Sequence, residues 1–414
     1  MSVGCWRSSS AFVIALSLLS RVLAASEPPV TPAEPTPEEL LALEKALAAD
    51  AGEDQALPIP TGGDSPGAAA FLPEMAFILD VAGAWHSDEP GWTGGHDPST
   101  VGFNFQSLEL AVGAAADPYL RFDANFAFAL FGVEIEEAYG TSLGIPAGFQ
   151  IRAGQFLSRF GRANASHPHA WQFSAQPLAI GKFFGSEGNR GLGVELSWLA
   201  PAPWFLELVS SMQMPDGDCC MRSYGGSANG EIESIGDFVY LLGVKQFWDA
   251  SVDTGVGFGL SGQFGPNPSG RETRSEIYGL DLLVRHRPRG NAERTALTFA
   301  LEALFRTRQV PDDVVQDVGG FASLVWDIDP EWSIGARYEA VTGPLGDSAA
   351  LDPLDPEWTS LRQRATVQGT YWPSHFSRIR LEMASDLAGF REAPVWSVVL
   401  GLELLVGAHG AHSL

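Results

Sequence analysis

The sequence predicts an all-β protein, namely a transmembrane antiparallel β-barrel of about 16 strands preceded by a short N-terminal periplasmic helix. Three observations support this fold class: apolar and polar residues alternate with period two, short and long connections alternate, and tryptophans lie beside short connections. The clearest alternation is in residues 119–130, YLRFDANFAFAL. Successive side chains of a strand point to opposite faces, so this run has one apolar and one polar face. Its repetition to the end of the chain is typical of a barrel whose apolar face lies in lipid.

Residues 1–24 have the pattern of a secretory signal peptide, and we expect export to the outer membrane of a Gram-negative cell. Arg7 precedes the apolar run 11–19, and a small-residue cleavage site follows at 22–24. The apolar run is too short to cross a bilayer as a helix. No later segment offers roughly 18 uncharged apolar residues, so a helical membrane protein is not expected.

Residues 25–74 are rich in proline, alanine, glutamate and glycine, which is typical of a linker. Within this acidic periplasmic linker, TPEE at 36–39 resembles a capping box with proline at the first helical position, and it predicts a short helix at 37–50. The formal charge is −25 for the full chain and −27 once the two arginines of residues 1–24 are removed. Such a charge argues against nucleic acid as a partner.

The predicted barrel occupies residues 75–414. Short connections such as APAP and DPE alternate along it with a set that is mostly longer. Outer-membrane barrels have short periplasmic turns and longer external loops, and an even strand count places both chain ends in the periplasm. The longer connections are 87–101, 161–190, 215–235, 309–317 and 344–357. The strand candidates are 75–86, 102–115, 119–130, 132–143, 148–160, 191–200, 204–214, 236–249, 253–264, 274–287, 294–308, 318–328, 331–343, 358–372, 376–387 and 393–407.

Four tryptophans lie beside two of the short turns. Trp198 and Trp204 flank APAP, whereas Trp326 and Trp332 flank DPE, and all four share the parity of the apolar face of their strand. An indole combines an apolar body with a polar N–H, which suits the aromatic girdles at membrane interfaces. Burial in a soluble core is the alternative, but the position beside predicted periplasmic turns favours the membrane.

Charged residues occupy the polar parity of the predicted strands, and we expect them to line a pore. Acidic and basic groups lie on different strands, so in a closed barrel they occupy different arcs and filter solutes by charge and size. The alternative is that they pair with neighbours along the wall, such as Arg337 with Glu339 and Arg380 with Glu382. The predicted pore-lining residues are Glu109, Arg121, Asp123, Glu134, Glu136, Arg337, Arg362, Arg364, Arg378 and Arg380.

The long segment 161–190 follows the fifth strand, where outer-membrane barrels often fold a loop into their own lumen. We expect it to constrict the pore through four polar side chains. His167 and His169 could also bind a metal ion through two imidazoles, although the sequence offers no obvious third ligand and loop packing is the alternative. No other cofactor is expected. The predicted constriction residues are Arg162, Asn164, His167 and His169.

The chain is not expected to be an enzyme, because it has no H-E-x-x-H or phosphate-binding Gly-Lys-Ser/Thr motif. Two pairs of near neighbours, His86 with Asp88 and His96 with Asp97, could form a hydrolytic site at a barrel rim. Proximity in sequence is weak support for such a site, because geometry defines one.

Four motifs stand out in the predicted barrel: EEAY (136–139), RAGQF (152–156), HPHAW (167–171) and GAHGAH (407–412). With their surroundings they resemble outer-membrane porins of the phosphate-selective O/P type, in particular the group labelled zinc-regulated TonB-dependent outer membrane receptor. The resemblance covers most of the predicted barrel and implies a passive pore of about 16 strands. Three features differ from that group: the N-terminal segment is too short for a plug domain, the barrel is net acidic where phosphate selectivity favours lysines, and Leu414 is not aromatic.

The sequence therefore predicts an outer-membrane porin, a passive diffusion channel for small polar solutes or ions. A weak cation preference is expected because residues 75–414 carry a charge of −18. The expected partners are outer-membrane lipid, the solutes, and further copies of the chain in a homo-oligomer, in particular a trimer. Two alternatives stay open: a specific uptake receptor for zinc or its complex, and a barrel-rim hydrolase.

Overall fold

The computed structural model describes residues 73–407 except 131, 216–219, 226–231, 271, 289, 291–294, 346–354 and 356–357. The predicted signal peptide, the linker with its helix at 37–50, and His409 and His412 lie outside these residues. Sixteen antiparallel strands form one closed barrel, in which each strand pairs with its sequence neighbours and the first strand pairs with the last. The predicted all-β barrel is confirmed.

Most strand bounds lie close to the predicted ones. The strands are β1 (Glu74–His86), β2 (Gly102–Asp117), β3 (Leu120–Ala129), β4 (Gly132–Ser142), β5 (Phe149–Leu157), β6 (Arg190–Leu199), β7 (Phe205–Gln213), β8 (Val239–Ser251), β9 (Thr254–Pro266), β10 (Arg274–His286), β11 (Ala296–Val310), β12 (Asp313–Asp327), β13 (Trp332–Val341), β14 (Arg362–Ser374), β15 (Ser377–Ala388) and β16 (Val395–Gly407).

The period-two alternation places apolar side chains on the outside of the barrel and polar ones inside. In β3, Leu120 and Phe122 are exposed on the outer surface, whereas Arg121 and Asp123 lie on the opposite face of the strand. Every strand contributes exposed large apolar side chains to this outer surface. A continuous apolar exterior is what contact with lipid requires. Among the described residues, no helix has both the length and the apolar composition needed to cross a membrane.

The four tryptophans beside the short turns lie on this outer surface. Trp204, Trp326 and Trp332 are each about half exposed. The indole N–H of Trp326 donates to Thr295 Oγ1 at 2.9 Å, and that of Trp198 donates to a carbonyl oxygen of a neighbouring turn at 3.1 Å. The indole N–H groups of Trp326 and Trp198 are therefore hydrogen-bonded at the rim, while the apolar part of each ring covers the strand.

One predicted long connection is wrong. The segment 309–317 is mostly strand, because β11 continues to Val310 and β12 already begins at Asp313, which leaves a two-residue turn at 311–312. Asp312 has a φ of +67°, the left-handed conformation that tight hairpin turns use and that aspartate tolerates. The consecutive valines Val314 and Val315 interrupt the alternation in this strand and hide its start from a period-two search.

The interior of the barrel holds the segment between β5 and β6. This segment, residues 158–189, is called the inserted loop here. It contains a 3-10 helix at Pro168–Ala170 and one short α-helix, α1 (Leu178–Phe184), and every residue of α1 is buried. Because a helix this short is marginal on its own, its stability comes from packing against the barrel.

Candidate functional site: the inserted loop and the barrel interior

The inserted loop turns into the barrel at Gly161. Its φ is +58°, and a Cβ built there would lie 2.0 Å from Glu302 Oε1. The amide N–H of Gly161 donates to Ser261 Oγ at 3.0 Å, and its carbonyl oxygen accepts from Lys245 Nζ at 2.7 Å. Glycine is required here both for its left-handed conformation and for the close approach of Glu302.

Glu302 on β11 fixes the next two residues of the loop. One of its carboxylate oxygens accepts the backbone N–H groups of Arg162 at 3.1 Å and of Ala163 at 2.9 Å. A carboxylate is a strong acceptor for backbone N–H groups, and it satisfies donors that the turn leaves unpaired. The sequence identifies Glu302 as inward-facing but gives no sign of this contact.

The second half of the loop is fixed to β13, β14 and β15. Glu339, which is fully buried, accepts the backbone N–H of Leu178 at 2.8 Å and is also bound by Arg337 at 3.1 Å and Arg364 at 2.7 Å. Glu382 accepts the backbone N–H of Ser174 at 2.7 Å. These carboxylates hold the start of α1 against the wall.

The arginines of this arc donate to carbonyl oxygens of the same loop. Arg337 donates to the carbonyl of Ala175 at 3.0 Å, and Arg364 donates to that of Gln176 at 2.8 Å. Arg378 and Arg380 both donate to the carbonyl of Trp171, each at 3.0 Å. The basic arc therefore supplies hydrogen bonds that an irregular buried backbone would otherwise lack.

Apolar packing supports α1 from the remaining side. Phe160, Ile180 and Phe183 belong to a buried cluster that also includes inward-facing residues of the strands, such as Leu241 and Ile277. A buried ion-pair network lies beside it, in which Asp317 is 2.6 Å from Lys182 of α1. The further members of this network are Arg306, Arg308, Arg222 and Asp355.

Histidines of the loop meet glutamates on β2 and β4. His169 Nδ1 lies 2.7 Å from a carboxylate oxygen of Glu109. His167 Nε2 lies 2.8 Å from Glu137, and its Nδ1 lies 3.3 Å from Glu136. Burial alone would lower the pKa of His167, but the charge of Glu109 and hydrogen bonds to Glu136 and Glu137 raise it well above its usual value.

A β-bulge explains why two consecutive glutamates face this cluster. The pairing of β3 with β4 shifts between Asn125 and Phe126, which leaves Glu136 as the extra residue. Glu136 and Glu137 are both buried as a result. Bulges re-aim side chains in this way and are frequent beside functional sites. Strict alternation would send Glu137 outward, so the sequence did not indicate it.

A third histidine reaches the same region from the connection between β1 and β2. His96 Nε2 lies 3.5 Å from Glu187 of the inserted loop and 3.9 Å from Glu136. Burial alone would lower the pKa of His96, but hydrogen bonding and the charge of Glu187 raise it to about 9. These groups line a cavity between the two loops and the wall, together with Asn164, Trp171 and Arg190.

The predicted pore-lining residues differ in the solvent exposure of their side chains. Arg121 keeps 38% of its side chain exposed and Asp123 keeps 27%, and the two are 2.8 Å apart. Glu134 is 28% exposed and paired with Arg190. The remaining ones are covered by loops or paired along the wall, and both pairs that the alternative names, Arg337–Glu339 and Arg380–Glu382, are present.

Arg162 is the most exposed of the predicted constriction residues. It keeps 38% of its side chain exposed and lies 3.5 Å from Asp281. Asn164 instead is buried, and its amide donates to the carbonyl oxygens of Ser158 and Asn189, which joins the two ends of the loop. The rings of His167 and His169 stack with their centres 5.7 Å apart.

The two His–Asp pairs that the sequence suggested for a hydrolytic site do not form in the structure. The ring nitrogens of His86 lie 2.8 Å from Ser397 Oγ and 3.0 Å from the carbonyl oxygen of Pro98. His96 Nδ1 lies 3.0 Å from the carbonyl oxygen of Gln106. Asp97 instead accepts backbone N–H groups at both ends of its carboxylate. Neither histidine is oriented by its neighbouring aspartate.

Comparison with known proteins identifies relatives in fold. No protein-family model matches the chain. An uncharacterized protein of Aquifex aeolicus is 28% identical over 389 residues, which cover 83% of this chain and 80% of the relative. The outer membrane channel DcaP of Acinetobacter baumannii has a TM-score of 0.54 at 13% identity, over 83% of this chain and 99% of that one. The anion-selective porin from Comamonas acidovorans has a TM-score of 0.53 at 11% identity, over 81% and 99%.

The expectation that the chain is not an enzyme needs correction. OmpT, an outer membrane protein of Vibrio cholerae, matches in its trimer form with a TM-score of 0.53 at 9% identity, over 81% of this chain and all of that one. The same barrel fold thus occurs in a protein that is named only as an outer membrane protein and not as a channel. The fold alone therefore does not exclude an enzyme. The expectation that the chain is not an enzyme rested on missing sequence motifs alone, and it does not hold.

The narrower resemblance to a phosphate-selective or TonB-dependent group has no support among these neighbours. What they share with this chain is the closed barrel over four fifths of its length. The protein accordingly has the fold of the outer-membrane porins, a closed antiparallel β-barrel formed by the sixteen strands of its described residues.

Proposed function

We propose that the protein is a passive diffusion channel for small polar solutes or ions, with an aperture set by the inserted loop. The observation that carries this proposal is the fixation of one loop to opposite walls of the barrel. The loop contacts Glu109 on β2 and Glu302 on β11, which lie on opposite sides of a ring of sixteen strands. A channel needs a fixed constriction if it is to select solutes by size.

A weak cation preference is the second part of the proposal. It rests on the charge of −18 over residues 75–414 and on the ion pairs that the arginines of the basic arc form with carboxylates. The basic arc consists of the five arginines of β13 to β15, and each has a carboxylate partner, so the arc offers solutes little net positive charge. These arginines are Arg337, Arg362, Arg364, Arg378 and Arg380. For the same reason a phosphate-selective pore, as the sequence resemblance implies, is less well supported than a cation-preferring one.

Planar bilayers under a KCl gradient test both parts. We expect stable conductance steps and a reversal potential whose sign corresponds to cation preference. Arg162→Gln removes the most exposed arginine of the loop and should raise the ratio of cation to anion permeability by about twofold. Arg391→Gln, whose guanidinium donates to the carbonyl of Glu89 in an external connection, serves as the control and should leave the ratio unchanged.

The outcomes separate the two claims. Absence of conductance steps would overturn the channel. Steps with a reversal potential of the opposite sign would keep the channel and overturn the cation preference. An equal effect of both arginine variants would show that Arg162 does not lie on the solute path.

A further inference from the structure

Two groups of potential metal ligands meet inside the barrel and share one residue. The first consists of His96, Glu136 and Glu187, and the second of Glu109, Glu136 and His167. Within each group the candidate ligand atoms all lie within 4.8 Å of one another. The first group joins three separate parts of the chain, namely the connection after β1, the bulge of β4 and the end of the inserted loop.

We propose that this cluster binds a divalent transition-metal ion of the Zn²⁺ class, with His96, Glu136 and Glu187 as its main ligands. Imidazole nitrogens and carboxylate oxygens are ligands that zinc accepts. Two ligands at about 2.1 Å from a tetrahedral ion are about 3.4 Å apart. His96 Nε2 lies 3.5 Å from Glu187 and 3.9 Å from Glu136, so small side-chain movements would bring them to an ion.

The outer contacts of the histidines favour metal binding. The carbonyl oxygen of Gln106 accepts from His96 Nδ1, which leaves Nε2 to face the two carboxylates. The carboxylate of Glu137 likewise accepts from His167 Nε2, which leaves Nδ1 of that ring to face Glu136. Metal-bound histidines usually donate their other ring N–H to a carbonyl or a carboxylate in this way, which fixes the ring and its tautomer.

Three buried polar atoms in the cluster have only distant or shared ion-pair partners. His96 Nε2 lies 3.5 Å from Glu187, whereas Glu136 Oε2 and Glu109 Oε1 lie 3.3 Å and 3.8 Å from the same nitrogen, His167 Nδ1, and none of the three buried atoms has a well-formed hydrogen bond. Glu109 is 4% exposed and Glu136 is 7% exposed. Buried carboxylate oxygens that share one distant imidazole nitrogen are incompletely compensated, and a cation at this position would coordinate them directly.

Space for an ion is present at this position. His96, Glu136, Glu187 and His167 line a cavity of about 50 Å³ between the two loops and β4. A single water molecule needs roughly 15 Å³ of such space, so an ion with a bound water can be accommodated. An ion held there would connect the two loops to the wall through one centre.

The full chain, purified in detergent and stripped of metal with a chelator, provides the test. Zn²⁺ is titrated by calorimetry, and Co²⁺ is titrated by its visible absorption, which reports coordination directly. We expect the wild type to bind Zn²⁺ at micromolar concentrations. His96→Gln and the isosteric Glu187→Gln should each weaken binding by about tenfold or more and reduce the Co²⁺ absorption bands.

His86→Gln is the matched control, because His86 is equally buried but both its ring nitrogens are already bonded and it belongs to neither ligand group. Its affinity for Zn²⁺ should stay within about twofold of the wild type, and circular dichroism should be the same for all variants. The proposal fails if the wild type binds no Zn²⁺, if His96→Gln and Glu187→Gln bind like the wild type, or if His86→Gln weakens binding equally. Because binding is measured without conductance, the result does not depend on the channel.

Discussion

Glu339 is the residue on which the fixation of α1 depends most. Its carboxylate is fully buried, accepts the N–H of Leu178 and faces two arginines, Arg337 and Arg364. Buried charge pairs add little net stability compared with apolar packing, but removing one partner leaves the other charge uncompensated. The cost of losing Glu339 therefore comes mostly from the two guanidinium groups that would remain.

We predict that Glu339→Gln lowers the free energy of unfolding by about 3 kcal/mol, because the side chain keeps its shape and loses its charge. The matched control is Glu74→Gln, since Glu74 is 61% exposed and pairs with Arg121 at 3.3 Å near the surface. An exposed pair contributes about 1 kcal/mol at most. Urea unfolding of the barrel in liposomes measures both, and equal midpoints would contradict the role given to Glu339.

At the scale of single elements, the inserted loop begins at a glycine that has no room for a side chain. We predict that Gly161→Ala displaces Glu302 from the N–H groups of residues 162 and 163 and makes the constriction less rigid. In planar bilayers the conductance steps should become noisier and more variable than those of the wild type.

The control for this variant is Gly83→Ala, since a Cβ at Gly83 on β1 would contact nothing within 4 Å. Its conductance should match the wild type. Normal conductance of Gly161→Ala would mean that Glu302 can move aside without loosening the loop.

The strands were predictable because their outer face must be apolar and their inner face polar. β3 was predicted within one residue at each end, since its alternation is unbroken. The start of β12 was missed, because Val314 and Val315 are consecutive apolar residues at the strand start. Glu137 was missed because the bulge at Glu136 reverses its direction. Local pattern thus predicts a strand wherever the pairing stays regular.

The contacts of the inserted loop were not predictable in the same way. Glu339 is 161 residues from Leu178, and Glu109 is 60 residues from His169. Alternation identifies each glutamate as inward-facing, but it does not indicate which loop residue lies opposite. His96 was considered only with its neighbour Asp97, whereas its actual neighbours in space, Glu136 and Glu187, come from two other segments.

For the whole molecule, the orientation of the strands relative to lipid can be tested at one position. Leu400 lies near the middle of β16 and is 54% exposed on the outer surface. We predict that Leu400→Arg costs about 2–4 kcal/mol of unfolding free energy in liposomes, because a charge near the bilayer midplane is poorly solvated. Leu400→Phe is the control and should change stability little. A small effect of the arginine would indicate that this surface faces water.

The oligomeric state is a second prediction for the whole molecule. The interpretation of the sequence as a porin predicts a homo-oligomer, in particular a trimer. Native mass spectrometry of the detergent-solubilised protein would detect trimers. A single species at 44.2 kDa or below would contradict this expectation.

The fixation of the inserted loop has a mechanical consequence. Its start binds β11, its histidines bind β2 and β4, and its second half binds β13 to β15, so the loop spans the ring from one side to the other. A closed β-barrel without such a loop would resist stretching along its hydrogen bonds. It would be deformed more easily if opposite walls were pressed together. The loop connects opposite walls and opposes that deformation, so the barrel should keep the shape of its cross-section under lateral pressure from the bilayer.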